Sequence, residues 1–350
     1  MKITQFLLLL SSILTLDTCR PKVEAARLHA PPPGRSEIMQ GLSFVAPPQP
    51  FGDSAMIEVQ ESGADWIAVI PYGFSRPGEA KVHFDHERQW WGERPVGTQT
   101  TIQRAHAEGL SVMLKPQVYV PRSWTGAISF DSEEEWTAWE NSYREYLLPM
   151  ARLADSMQVK LFCIGTEFKI SSTQRPHFWR KLIQDIRSIY SGQLTYAANW
   201  DEYTHITFWD QLDYIGIDAY FPLSDQATPS VAELRKAWQE PHRAMLHTAH
   251  TYQRPYLFTE FGYMSVDSCA SRTWELEDRR RQLNANQQAQ ANALEAVFQE
   301  FWDDTAWAGG FIWKWYPYEG RRTWYRQKDY TPQNKLAAKT LKKWYEKPAN

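Results

Sequence analysis

Cysteine is scarce in this chain, with three in 350 residues, at positions 19, 163 and 269. Side chains alternate along a strand, so Cys163 shares a face with Gly165 and Glu167 and is expected inside the fold as a buried thiol. Cys269 falls in a loop, and no disulfide between the two is expected. An excess of one charge is also missing. With 38 Lys and Arg against 41 Asp and Glu, the formal charge is −3. That gives no basic field for a nucleic acid, and Arg279-Arg280-Arg281 reads as a solvated run among acids. No Gly/Ser linker, charge block or internal repeat interrupts residues 41–347, so one large domain is expected rather than two. Metal-ligand spacing is absent too. His83 and His86 lie together in a loop and no strand ends in a His-x-His pair, so no metal and no cofactor is assigned.

Long apolar runs are missing, with one exception at the amino terminus. Lys2, an apolar stretch from Phe6 to Leu16 and then a polar break have the layout of an export signal over residues 1–19. The stretch is short for a membrane span. Leu16 and Cys19 suit a lipoprotein signal while Asp17 and Thr18 suit it poorly, so lipid anchoring at Cys19 and simple cleavage both stay open. The expected location is the periplasm or cell surface, with the membrane reached only through a lipid at Cys19. Residues 20–40, which include Ala30-Pro31-Pro32-Pro33-Gly34, read as a Pro-rich tether.

What the chain does have is a pair of glutamates in matching settings. Gly165-Thr166-Glu167-Phe168 and Thr259-Glu260-Phe261-Gly262-Tyr263 each place an acid after an apolar run of strand composition, Leu161 to Ile164 and Tyr256 to Phe258. The acids are 93 residues apart in sequence, three steps of about 31, the average length of a βα unit in an eightfold barrel of about 250 residues. Further runs at fitting intervals are Gly41 to Pro47, Trp66 to Gly73, Ser111 to Val118, Leu194 to Trp200, Tyr214 to Tyr220 and Gly309 to Tyr316. Helical signals alternate with them. Thr98 to Gly109 ends on a glycine stop, Ser132 to Glu135 is a capping box opening a helix to about Met157, and Pro176 to Tyr190 follows. Val231 to Tyr252, Gln282 to Trp302 and Asn334 to Tyr345 complete the set. The pattern predicts an α/β fold, a single (β/α)8 barrel spanning 41–347.

In such a barrel the carboxyl ends of the strands carry the chemistry. Two glutamates facing one cleft can divide the cleavage of a glycosidic bond, one protonated to donate to the leaving oxygen and one ionised to attack the anomeric carbon. Seventeen tryptophans accompany them, and an indole offers an apolar face and one donor to a sugar ring. Trp200, Trp313 and Trp315 close strands; Trp313 and Trp315 share parity and are expected to face inward. Trp90, Trp91 and Trp124 fall in loops beyond earlier strands. Lys115, Gln117, Asn199, Asp218 and Tyr220 also end strands, and an inward Tyr220 is placed to donate to ionised Glu260.

Several segments resemble the retaining glycoside hydrolases of clan A, and within them the β-mannanases of glycoside hydrolase family 113. They are Met113 to Gln117, Leu161 to Phe168, Leu194 to Asp201, Asp213 to Phe221 and Leu257 to Tyr263. The resemblance implies Glu167 as acid/base and Glu260 as nucleophile, with β-1,4-linked mannan or manno-oligosaccharides as substrate and retained anomeric configuration. It also implies that Trp313 floors the subsite of the attacked sugar, and Tyr263 belongs to the matching motif as a further candidate contact. Thr166 stands where many clan members have asparagine, and Gln117 where histidine would be expected. The same mechanism on xylan or a β-glucan, and a non-catalytic glycan-binding surface protein, are the alternative readings. Retention requires carboxyl groups about 5 to 5.5 Å apart.

Overall fold

The computed structural model describes residues 38–317 and 323–347. The export signal, Cys19 and most of the tether lie outside the described residues. Among the described residues there are ten strands in chain order: β1 (Met39–Phe44), β2 (Trp66–Val69), β3 (Tyr72–Phe74), β4 (Ser111–Leu114), β5 (Gln117–Tyr119), β6 (Leu161–Thr166), β7 (Gln193–Asn199), β8 (Tyr214–Asp218), β9 (Tyr256–Phe261) and β10 (Trp307–Trp315). Eight of them close a parallel barrel in the order β1, β10, β9, β8, β7, β6, β4, β2, and β3 and β5 pair as a short parallel ribbon. The expected runs Trp66 to Gly73 and Ser111 to Val118 are therefore each broken in two. Pro71 and Pro116 stand at the breaks, where a residue without an N–H cannot continue the ladder. The first strand starts at Met39, inside the stretch read as tether.

Helices follow the strands and cover the barrel. The helix Pro95–Ala107 ends at Gly109, whose φ is +73°. Leu110 N–H donates to Ala105 O and Gly109 N–H to His106 O, the paired bonds of a Schellman stop that glycine takes without strain. Ser132 caps the helix Glu133–Ser156 by accepting from Glu135 N–H at 3.2 Å. Ser230 and Glu233 form a reciprocal capping box on Val231–Tyr252, satisfying two end donors. The helix expected from Gln282 to Trp302 runs over Gln287–Phe301, and a separate short helix, Thr273–Arg279, precedes it. Arg280 is buried with Glu277 and over the Tyr325 ring, not solvated as its run suggests.

Apolar side chains divide between two layers. One, under the helices, includes Leu42, Ile67, Phe162, Tyr196 and Phe258. The other fills the barrel with Met39, Trp66, Met113, Leu161, Cys163, Tyr214, Leu257 and Phe311. Cys163 and Cys269 are both buried free thiols. Above the apolar filling, toward the carboxyl rim, the interior turns polar with Lys115, Asp218 and Thr259, each fully buried. Register slips near the rim at three places: in β6 between Cys163 and Thr166, in β9 beside Glu260, and in β10 between Ile312 and Trp315; a further slip lies low in the barrel, in β10 between Trp307 and Gly310. Such bulges re-aim side chains, and each of the three at the rim lies beside a candidate site residue.

Candidate active site

Glu167 follows β6, the fourth barrel strand, and Glu260 lies in β9, the seventh. The bulge in β6 changes the parity expected there. A Cβ on Gly165 would meet Trp179 in the outer layer, so Gly165 faces outward while Cys163 faces in. Glu167 reaches the cleft through a left-handed backbone, φ +54°, an uncommon state for a residue with a side chain. The turn is held on both sides. Glu167 N–H donates to Ala197 O at 2.8 Å, and Phe168 N–H donates to the Tyr196 hydroxyl at 2.7 Å. That hydroxyl in turn donates to buried Glu202 at 2.7 Å, which also accepts from Ser172 and from Asn199 N–H.

The carboxylate of Glu167 accepts one bond, from Trp124 Nε1 at 2.7 Å. Burial, reinforced by the charge of Glu260, pushes its pKa up to about 7, against the pull of the Trp124 donor. Glu260 is 6 % exposed and accepts three bonds. Lys115 Nζ at 2.5 Å and Gln117 Nε2 at 2.8 Å donate to Oε1, and the Tyr220 hydroxyl at 2.8 Å donates to Oε2. Burial alone would strip Lys115 of its charge, but Asp218 and Glu260 outweigh it and hold its pKa above that of an ordinary lysine. Asp218 accepts from Thr259 Oγ1 at 2.7 Å and from Lys115 at 3.3 Å. Burial, opposed by Lys115 and reinforced by Glu260, raises Asp218 well above the usual carboxylate range.

Both glutamates border a cavity of about 710 Å³ together with Gln117, Trp124, Thr166, Asn199, Trp200, Asp218, Tyr220 and Trp313. Thr166 Oγ1 is buried in its wall with no partner among the described residues. A second cavity of about 940 Å³ meets the first at Trp313 and is walled by Tyr72, Trp90, Glu93, Tyr119, Tyr316 and Arg326, among others. Trp91 does not border either cavity; it packs edge-on against Phe51.

Four expected sugar contacts are not exposed at the cleft surface; one of them, Asp218, borders the cavity but is fully buried. Lys115 is fully buried beneath it and holds Glu260 instead. Trp315 is buried in the outer layer, because the slip between the Leu42–Ile312 and Phe44–Trp315 pairs inverts its parity relative to Trp313; the Trp313–Lys314 peptide inside this slip is cis. Tyr263 is buried in the outer layer as well, its carbonyl accepting from Gln290. The bulge beside Glu260 turns Phe261 outward, and Tyr263 lies on the same side. Several wall residues were missed by sequence reasoning, among them Asp201, Glu277, Tyr330 and Trp274. Trp274, on Thr273–Arg279, stacks on Trp200 with centroids 5.8 Å apart and planes 14° from parallel. The available signal was a large exposed aromatic set among charges, Arg272 to Asp278.

Among the described residues no group of His, Cys, Asp and Glu is arranged to hold a metal. The arrangement is thus two carboxyl groups in one aromatic-walled cleft, one gripped by three fixed donors and one whose surroundings favour its proton.

Comparison with known proteins places this cleft in context. The model of glycoside hydrolase family 113 matches residues 49–335. No curated relative matches the chain. Among solved structures the chain is similar to the family 113 β-mannanase of Alicyclobacillus acidocaldarius in complex with ManMIm, at 24% identity and TM-score 0.77, covering 88% of this chain and 97% of that one. It is similar to a family 113 β-1,4-mannanase at 22% identity and TM-score 0.75, covering 89% and 100%. A β-glucuronidase of Ruminococcus gnavus is similar at 14% identity and TM-score 0.58, covering 89% of this chain and 50% of that one. These likenesses establish the barrel fold.

Proposed function

The chain belongs to glycoside hydrolase family 113 and is a glycoside hydrolase, and from that premise we propose that it cleaves β-1,4-linked mannan or manno-oligosaccharides by a retaining double displacement. Glu260 is the nucleophile and Glu167 the acid/base. One observation carries the assignment: three donors, one of them a lysine, hold the carboxylate of Glu260, while burial keeps Glu167 near pH 7 in its proton affinity. An acid must carry its proton at working pH and a nucleophile must not.

In the first step Glu260 bonds to the anomeric carbon while Glu167 passes its proton to the departing oxygen. Glu260 Oε1 is occupied by two donors and Oε2 by one, which supports Oε2 as the attacking atom and Oε1 as the ester carbonyl. Glu167, now ionised, then takes a proton from water, and the water oxygen displaces Glu260. Trp313 floors the attacked sugar. Cavities on both sides of Trp313 support a chain running through the cleft and cut internally. The substrate part of the reading is supported by the β-mannanases among the similar structures.

Product release from β-1,4-manno-oligosaccharides, followed by chromatography beside xylo- and cello-oligosaccharides with Glu260→Gln as control, tests the assignment. Internal products from the mannosides alone, absent in the variant, are expected. Cleavage of another series only would overturn the substrate, and turnover surviving in the variant would overturn the nucleophile. Export, with Cys19 as a candidate lipid anchor, is a separate proposal resting on the leader residues, and fractionation of expressing cells tests it.

A further inference from the structure

Lys115 is a cation with no access to water. Its Nζ lies 2.5 Å from Glu260 and 3.3 Å from Asp218, and among the described residues these are its two carboxylate partners. Glu260 has ample support from Lys115, Gln117 and Tyr220. Asp218 touches none of these donors except Lys115, and it is itself fixed by Thr259 from the neighbouring strand. Its side chain is 1 % exposed, so a sugar hydroxyl cannot gain much from it. A buried carboxylate beside an already neutralised ion pair is costly unless it has a task of its own.

The proposed chemistry supplies that task. When Glu260 becomes an ester its charge is consumed, and Lys115 would be left as a buried cation with no counter-charge, a state that costs several kcal/mol. We propose that Asp218 is a positioning residue for the second half of the reaction, keeping Lys115 charged and aimed at the ester carbonyl of Glu260 while the glycosyl-enzyme exists. This rests on Glu260 being the nucleophile. In that half the bond between the anomeric carbon and Glu260 Oε2 breaks and its electron pair returns to the carboxylate. A water oxygen bonds to the carbon, and the water proton goes to Glu167. Lys115 donates hydrogen bonds throughout and transfers no proton. Its charge stabilises the carboxylate as it leaves, much as fixed donors stabilise developing charge elsewhere. The charge of Glu260 is one of the causes that favour the proton of Asp218 in the resting enzyme; as the ester forms that charge is lost, Asp218 gives its proton to solvent, and it supplies the counter-charge at the moment Glu260 cannot.

The test is pre-steady-state release of the aryl alcohol from an activated aryl β-mannoside by Asp218→Asn, an isosteric change, with intact-protein mass measured on quenched samples. The expected result is a burst equal to the enzyme concentration and a mass increase of one hexosyl group. kcat falls on the order of 10²-fold and KM falls with it, so kcat/KM changes far less. A merely structural loss would lower kcat/KM and give no burst. Lys115→Met, which removes the charge itself, is expected to slow both steps and so to lower kcat/KM. A kcat loss in Asp218→Asn without burst or adduct overturns the proposal, as does an unchanged kcat. Turnover persisting in Glu260→Gln, or a wild-type enzyme inert on every mannoside, overturns the underlying functional reading instead.

Discussion

Glu260 and Glu167 stand three strands apart on the same rim, yet the surroundings treat them in opposite ways. Glu260 comes from within a strand and meets donors from the ends of two other barrel strands, Lys115 and Gln117 beyond β4 and Tyr220 beyond β8. Glu167 comes from a turn just beyond its strand and meets a single indole N–H from a loop. On the first side the barrel itself fixes the charge; on the second, backbone hydrogen bonds fix the position and burial sets the proton affinity. An identical side chain thus acquires two chemistries from the number and kind of donors around it.

Removing each carboxyl separates the two roles most strongly. Glu260→Gln is expected to lower kcat at least about 10⁴-fold on any leaving group. Glu167→Gln is expected to cost about 10² to 10⁴-fold on oligosaccharides and far less in the first step on an aryl glycoside whose leaving group needs no proton. Equal losses on both substrates would erase the distinction. Glu167 acts first as a protonated acid, so the rate of the wild type is expected to fall as pH rises through about 7.

A smaller change targets how Glu167 is held. Tyr196→Phe removes the acceptor for Phe168 N–H and the donor to Glu202, leaving buried polar groups unsatisfied at about 1 to 3 kcal/mol. Thermal unfolding should report that loss, and the alkaline limb of kcat/KM should move as the turn relaxes. An unmoved limb would mean that Tyr196 supports the fold and not the acid. Smallest of the three, Trp124→Phe removes the bond that favours ionised Glu167. Its pKa then rises, so the alkaline limb moves to higher pH while the rate at the optimum drops about 2- to 10-fold. A limb moving the other way would assign the Trp124 contact to some other state of the cleft.

The same contrast marks where the sequence is readable. Low in the barrel alternation runs unbroken outside β10, so strand order, the interior position of Cys163 and the strand-end placement of both glutamates could be read from composition and spacing. Tyr220 could be read as facing Glu260 for the same reason. At the rim, one-residue slips in β6, β9 and β10 invert parity, and parity counting carried past them put Trp315 and Gly165 on the wrong face. Gly165 inside the β6 slip was a signal that could have been read as a bulge, whereas no glycine or proline marks the slips beside Glu260 and between Ile312 and Trp315. Lys115 was found as a residue but not in its role, because whether a strand-end lysine meets a sugar or a carboxylate depends on side chains from strands more than a hundred residues away. Trp274 was missed for another reason: it belongs to a short helix whose own sequence pattern is polar.

The left-handed backbone at Glu167 sets the interests of fold and reaction against each other. Glycine would occupy that conformation without penalty, whereas a residue with a Cβ stores strain there that the Ala197, Tyr196 and Glu202 bonds must offset. Lineages or libraries selected for thermal survival alone would be drawn away from glutamate at position 167, and only selection for turnover would restore it. The position therefore works as a molecular record of use: an unchanged glutamate on that strained turn marks a chain still under demand to react.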